Sequence, residues 1–307
     1  MKEIAMQLDD ILNEFIFDCQ LRKFSERTIK GLNNNNRRMF RYLKNEFGIT
    51  KLEKVKRQHI QAYINYLSEQ GRKETYINGL IKCYRAFFAY CVDEEYIQES
   101  PMKKVKWQKE EMPVIRTFNE DEVLRMVNYY NGRTFLQTRN KLIMTMLLDS
   151  GIRNIELCDM KVEDITDNAI KIRGKGKKIR YVPLTPSINK MLIRYNRVRS
   201  NYIIDKPRYQ TEYLFLSQKG QKLTIEAVER VVRICGDAVK VREEIRCSPH
   251  TCRHYYAQTQ LKNGCDLFTV SKLLGHSNIN ITKRYLNSME TDDILEIGAK
   301  TSPLTNL

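Results

Sequence analysis

The apolar residues of the first hundred positions recur at the spacing of an α-helix, and this periodicity restricts the fold more than any other feature of the chain. Leu8, Ile11, Leu12 and Phe15 stand at i, i+3, i+4 and i+7. Ile60, Tyr63, Ile64 and Leu67 repeat the pattern, as do Ile77, Leu80, Ile81 and Tyr84. At 3.6 residues per turn each quartet makes one apolar stripe, which must be covered by other helices. A further helix is expected after Ser25, a suitable N-cap, carrying Ile29, Leu32, Met39, Phe40 and Leu43 across the polar stretch from Asn33 to Arg38. The expectation for residues 1–98 is therefore a small domain of four or five helices.

Residues 99–113 then break the helical pattern with Pro101, Pro113 and several lysines. They are expected to form an extended basic interdomain linker. A second domain, 114–307, opens with Asn119 to Glu122, which reads as a helix cap, and its next helices stop at Ser150-Gly151. The clear β signal comes later: Ile170, Lys171, Ile172 and Arg173 alternate, Gly174 to Lys178 turns, and Arg180 to Leu184 returns. This predicts a hairpin with a basic tip. Helical pattern resumes from Thr224 to Ala238; Asp266 is expected as an N-cap, Gly275 as a stop, and Asn280 as the cap of a helix bearing Tyr285. The fold class is mainly α with a small β-hairpin, in two domains.

The 307 residues carry 53 Lys+Arg against 37 Asp+Glu, a formal charge of +16. Such a field suits a polyanion, either nucleic acid or an acidic membrane surface. Charge does not choose between them. No apolar run approaches the roughly 18–20 residues of a membrane span, and Met1 to Asp10 lacks a signal-peptide core, so a cytoplasmic protein is expected. The eight cysteines are scattered without a C-x-x-C pair and are read as reduced thiols, not disulfides or zinc ligands. In the first domain the bases gather at Lys51, Lys54, Lys56 and Arg57 and at Arg72 and Lys73, near expected helix starts. Each cluster by itself reads more readily as a solvated face than as a binding site.

Four features of the second domain could carry chemistry. Arg153 follows Gly151 at the end of a helix, where an arginine is more often a surface or ion-paired group. Lys175, with Lys177 and Lys178, occupies the hairpin tip, either solvated or binding phosphate. In His250-Thr251-Cys252-Arg253-His254, helical spacing puts His250, Arg253 and His254 on one face. Paired histidines raise zinc, but the glutamate of H-E-x-x-H is missing and Arg253 would set a cation beside the metal. Last, Leu274-Gly275-His276 precedes Tyr285 by nine residues, and a tyrosine on an amphipathic helix is commonly packing. Yet three of only four histidines fall in this one stretch rich in Arg, Lys and Tyr. Phosphoryl transfer without a metal needs such a set: forked guanidinium donors for phosphate charge, imidazoles for donation or proton movement, and a hydroxyl to attack.

In this order and with these neighbours, the residues resemble the tyrosine recombinase, or phage integrase, family over nearly the whole chain. The family's signature of Arg, Lys, His-x-x-Arg, His or Trp, then Tyr is matched by Arg153, Lys175, His250, Arg253, His276 and Tyr285. Glu156-Leu157, Gly174-Lys175-Gly176, Pro183-Leu184 and Leu274-Gly275-His276 supply the local contexts. Cys252 stands where the family usually has leucine, and Tyr255-Tyr256-Ala257 where Thr-Phe-Ala is common; both are expected to change packing and not activity.

The resemblance implies that Tyr285 attacks a scissile phosphate, leaving a 3′-phosphotyrosyl link and a free 5′-hydroxyl. Arg153, Arg253 and His276 would stabilise the transition state, Lys175 would protonate the leaving 5′-oxygen, and His250 would assist proton transfer at Tyr285. His254 receives only a supporting role. No metal or other cofactor is implied. A C-shaped clamp around duplex DNA follows, with a homotetramer on two duplexes, a C-terminal segment (Ile294, Leu295, Ile297) docking on a neighbour, and a possible accessory excision or architectural protein. Since the core-binding helices begin almost at once, an arm-binding domain is not expected, and the likeness is to Xer-like or compact transposon members. A type IB topoisomerase, or a DNA-binding regulator that kept the fold without the chemistry, are the alternatives.

Overall fold

A computed structural model describes residues 6–110, 114–174, 178–204, 208–209, 212–289, 291–300 and 302. The chain divides into two compact units, Met1–Met112 and Pro113–Leu307. Lys175 and Lys177 of the expected site lie outside the described residues.

The first unit is built of α1 (Leu8–Leu21), α2 (Glu26–Phe47), α3 (Arg57–Glu69) and α4 (Glu74–Asp93), with a 3-10 turn at Leu52–Lys54. Ser25 caps α2 by accepting from the Thr28 amide at 3.3 Å, and Gly48 at φ +64° ends it. The stripes read from the sequence face one another: Leu12, Phe15, Met39, Leu43, Ile60, Ile64, Ile81 and Phe87 are all buried. Phe87 is the hub, with ring centroids 5.8 Å from Phe15, 5.3 Å from Phe40 and 5.1 Å from Phe88.

Residues 100–110, expected to be extended linker, pack on this unit. Met102 and Val105 are buried in its core. Asn78 donates to the Gln108 carbonyl and accepts from its amide, Arg85 donates to the Val105 carbonyl, and the Arg85 guanidinium lies 4.2 Å from the Trp107 ring centre.

The second unit is organised around α6 (Phe135–Ser150), a helix buried on nearly every face. Against it pack α5 (Glu120–Tyr129), α8 (Pro186–Ile203), α9 (Ile225–Ala238) and α10 (Pro249–Lys262). Short α7 (Asn154–Asp159) leads to the antiparallel hairpin β1 (Ala169–Arg173) and β2 (Ile179–Pro183), in register Ile170↔Val182 and Ile172↔Arg180. Ile170, Ile172 and Val182 turn inward, and Gly174 and Lys178 close the ladder at 2.7 Å. The chain ends with α11 (Leu267–Leu274), α12 (Asn280–Lys283) and α13 (Thr291–Lys300). The caps at Asn119 and Asp266 form as expected, and Thr224, read as the start of a helix, is the N-cap of α9.

The cap expected at Asn280 does not form. Asn280 lies inside α12, its amide bonded to Asn278 Oδ1, and Tyr285 sits beyond that short helix at the entry to a 3-10 turn, Leu286–Ser288. The asparagine two residues earlier offers the side-chain acceptor first, and the helix is one turn long.

No described helix is long and apolar enough to cross a membrane.

Candidate active site

The carboxylate of Glu156 fixes the cations of the site. It is buried at the start of α7, where it accepts from the Arg153 amide at 2.9 Å and from Arg153 Nη1 at 2.7 Å. Arg180, reaching across from β2, adds a two-pronged pair at 2.8 Å each. Burial alone would raise the Glu156 pKa; the bonds from Arg180 and Arg153 overcome it and hold the carboxyl at about 2. Arg180 also donates to the Leu273 carbonyl, and Arg153 to the Gly275 carbonyl, so α7, β2 and the end of α11 are tied at one point.

Two left-handed glycines allow this closeness. At Gly151, φ +59°, a Cβ would stand 2.3 Å from the Tyr256 ring; at Gly275, φ +66°, it would stand 2.9 Å from the Arg180 side chain.

Arg253 is buried on α10 and donates to the Gly151 carbonyl at 2.5 Å and the Leu274 carbonyl at 2.7 Å. Its Nη2 is also 3.0 Å from His276 Nε2. An arginine can only donate, so Nε2 of His276 accepts, and the ring proton on Nδ1 goes to Thr282 Oγ1 at 2.8 Å. Burial first, then Arg253, Arg153 and Arg180, lower the His276 pKa to about 4. At neutral pH the ring is uncharged, and burial with the charges of Arg153 and Arg180 brings Arg253 itself down to about 10.

Tyr285 is 3% exposed, and its hydroxyl meets His254 Nδ1 at 3.0 Å. His250, at the exposed head of α10, lies edge-on to the His254 ring, centroids 4.1 Å apart. The hydroxyl therefore faces the second histidine of the motif and not the first, against the expectation that His250 serves it. Burial raises the Tyr285 pKa, against the pull of Arg253, Arg284 and Arg153, so the resting hydroxyl keeps its proton.

Of the residues expected in the site, Arg253 and His276 are joined by a direct bond, Arg153 and Arg253 donate to the adjoining Gly275 and Leu274 carbonyls, and Tyr285 and His250 both meet His254. The reading of the sequence missed the roles of Arg180 and Thr282. Nothing marks Thr282 beforehand, whereas Arg180 is the polar member of an alternating strand and so reads as solvent-facing. A cleft of about 950 Å³ opens beside this cluster, lined in part by Arg153, Arg173, Lys178, Arg180, Lys272 and His276. In the first unit Lys54, Lys56, Arg57, Arg72 and Lys73 are exposed around the starts of α3 and α4, and Lys51 is half-buried in a bridge to Gln7. Among the described residues no group of three His, Cys, Asp or Glu side chains could hold a metal ion.

Residues 116–291 match the phage integrase family, and residues 12–95 match the phage integrase N-terminal SAM-like domain. The chain belongs to the phage integrase family. It is 29% identical over 298 residues to the tyrosine recombinase XerC of Thermodesulfovibrio yellowstonii, covering 96% of both chains. It is 27% identical to the tyrosine recombinase XerD of Listeria monocytogenes, over 91% of this chain and 94% of that one. Among solved structures, the XerH site-specific recombinase bound to a palindromic difH substrate in a post-cleavage complex aligns at TM-score 0.76 and 18% identity, covering 99% and 98% of the two chains. A lambda integrase tetramer bound to a Holliday junction aligns at TM-score 0.72 and 18% identity, covering 90% of this chain and 79% of that one. At these identities the structures establish a common fold.

Proposed function

We propose that this tyrosine recombinase cuts and rejoins duplex DNA at a specific site, with Tyr285 as nucleophile and a 3′-phosphotyrosyl intermediate. The observation that carries the reading is the Tyr285 hydroxyl held by His254 next to a shell of guanidinium and imidazole groups, Arg153, Arg253 and His276, at a basic cleft. Transfer at phosphorus spreads charge over the non-bridging oxygens, and fixed cations and donors stabilise it without reorganising. Arg153 and Arg253 supply forked donors, and His276 adds a third once its Nε2, which accepts from Arg253 at rest, is protonated beside the entering phosphate. Lys175 protonates the leaving 5′-oxygen. The phosphotyrosyl bond conserves the energy for religation, so no metal or other cofactor is needed.

In this reading both domains, 1–98 and 114–307, bind the DNA, with Lys51, Lys54, Lys56, Arg57, Arg72, Lys73, Lys177 and Lys178 touching phosphates. Four protomers gather on two duplexes in the cytoplasm, each docking its C-terminal segment on a neighbour, in the integration, excision or resolution of a DNA element, with or without an accessory protein. The test is covalent capture: wild-type protein is incubated with a random-sequence library of nicked duplexes, and denaturation-resistant adducts are recovered, sequenced and digested. A nucleotide-bearing peptide containing Tyr285 and a recurring DNA sequence are expected. An adduct on another residue, or none, would refute the assignment.

A further inference from the structure

We propose that His254, the residue following Arg253 in the motif, is the base that takes the proton of Tyr285 and returns it on religation. The inference rests on Tyr285 being the nucleophile. Among the described residues His254 Nδ1 is the one ring nitrogen hydrogen-bonded to the hydroxyl, at 3.0 Å. His250 reaches only the face of the His254 ring, 4.1 Å between centroids at an interplanar angle of 64°. It thus acts as a positioning residue, limiting how far the His254 ring can swing.

The resting state suits a base. Burial first, then His250, Arg253, Arg284 and His276, lower the His254 pKa to about 4, so the ring is neutral and its lone pair free to accept. Of these, His250 on α10 and His276 in the loop after α11 are themselves shifted toward the neutral form, and the cations are Arg253, which faces it from α10, and Arg284, at the end of α12. When a scissile phosphate enters, its negative charge offsets theirs and raises the basicity of the ring at the moment the proton must move. With Nδ1 as acceptor, the neutral ring carries its proton on Nε2 and the tyrosine hydroxyl is the donor.

The step balances. The Tyr285 oxygen forms a bond to phosphorus as the bond from phosphorus to the 5′-oxygen breaks. The hydroxyl proton passes to His254 Nδ1, giving an imidazolium, while the leaving 5′-oxygen takes a proton from Lys175. In religation the 5′-hydroxyl attacks and gives its proton to the neutral Lys175, the bond from phosphorus to the tyrosine oxygen breaks, and the imidazolium of His254 hands its proton back to that oxygen.

The experiment uses the full chain and a nicked duplex selected by covalent capture with wild-type protein. Single-turnover adduct formation is measured for His254→Ala and His254→Asn. Asparagine keeps a polar group near the position of Nδ1 but cannot take up a proton. Both variants should bind the duplex with wild-type affinity and form adduct about 10²–10⁴-fold more slowly, the usual range for loss of a general base. Added imidazole should speed His254→Ala in proportion to its unprotonated fraction. Adduct formation by His254→Asn within a few-fold of wild type would reduce the bond to positioning and overturn the inference, as would a slowed His254→Ala that ignores imidazole. Tyr285→Phe, run in parallel, separates the two claims. An adduct from that variant would topple the nucleophile itself, whereas no adduct from it, with wild-type rates from both His254 variants, would remove only His254.

Discussion

At the scale of single residues, Glu156 decides where Arg153 can be. Its buried carboxylate receives four bonds from two arginines, and without it Arg153 and Arg180 would repel each other beside Arg253. Glu156→Gln should cost about 3–5 kcal/mol, the usual penalty for removing one partner of a buried ion pair, and should also slow cleavage. The pH dependence follows from the pKa of about 2 in the folded chain against about 4.3 unfolded. A depressed carboxyl pKa gives stability that is full above the unfolded value and is lost as pH falls through the folded one. Urea midpoints should thus fall between pH 5 and pH 2 more steeply for wild type than for Glu156→Gln; parallel slopes would contradict the role given to the carboxylate. Much of the site was legible at this scale, because Arg153, His250, Arg253, His276 and Tyr285 stand in a recognisable order. What spacing could not give was aim. His250 and His254 share a helical face, and only the path of the chain to Tyr285, 31 residues past His254, determines which ring meets the hydroxyl.

Among the elements, periodicity predicted the helices well wherever an apolar stripe meets a single covering face, as in α1, α3 and α4. It was least useful where a segment is short or clings to a neighbour. Met102 and Val105 are an i, i+3 apolar pair inside a basic, proline-marked stretch, and the prolines outweighed them. α12 is one turn long, too short for a stripe or a cap rule to place Tyr285. The final helix, α13, presents Ile294 and Leu295 to solvent, 57% and 65% exposed, while Asp293 is paired with Lys262 of α10. An apolar face uncovered by its own unit fits the docking on a neighbouring protomer proposed above. Deleting residues 294–307 should leave DNA binding within a few-fold of wild type in a gel-shift assay but strongly impair higher-order complexes and strand exchange. Unchanged strand exchange would exclude that docking role.

For the whole molecule, the excess of base over acid is the property that reaches furthest. With a formal charge of +16, binding to duplex DNA should release many counterions. If about 6–10 phosphates are contacted, affinity should drop about 10³–10⁵-fold between about 50 and 200 mM salt. A flat salt dependence would exclude a phosphate-tracking grip. The central claim, however, is covalent: one tyrosine carries the DNA. Tyr285→Phe removes only the hydroxyl and keeps the ring, so DNA binding should persist. Tyr255 and Tyr256, one and two residues after His254, are the competing hydroxyls. Tyr256 is buried with its ring against Gly151, and Tyr255 packs against the core. On a nicked duplex that lets the cleaved end diffuse away, Tyr255→Phe and Tyr256→Phe should still give a denaturation-resistant protein–DNA band and Tyr285→Phe none; a robust band from Tyr285→Phe would contradict the account.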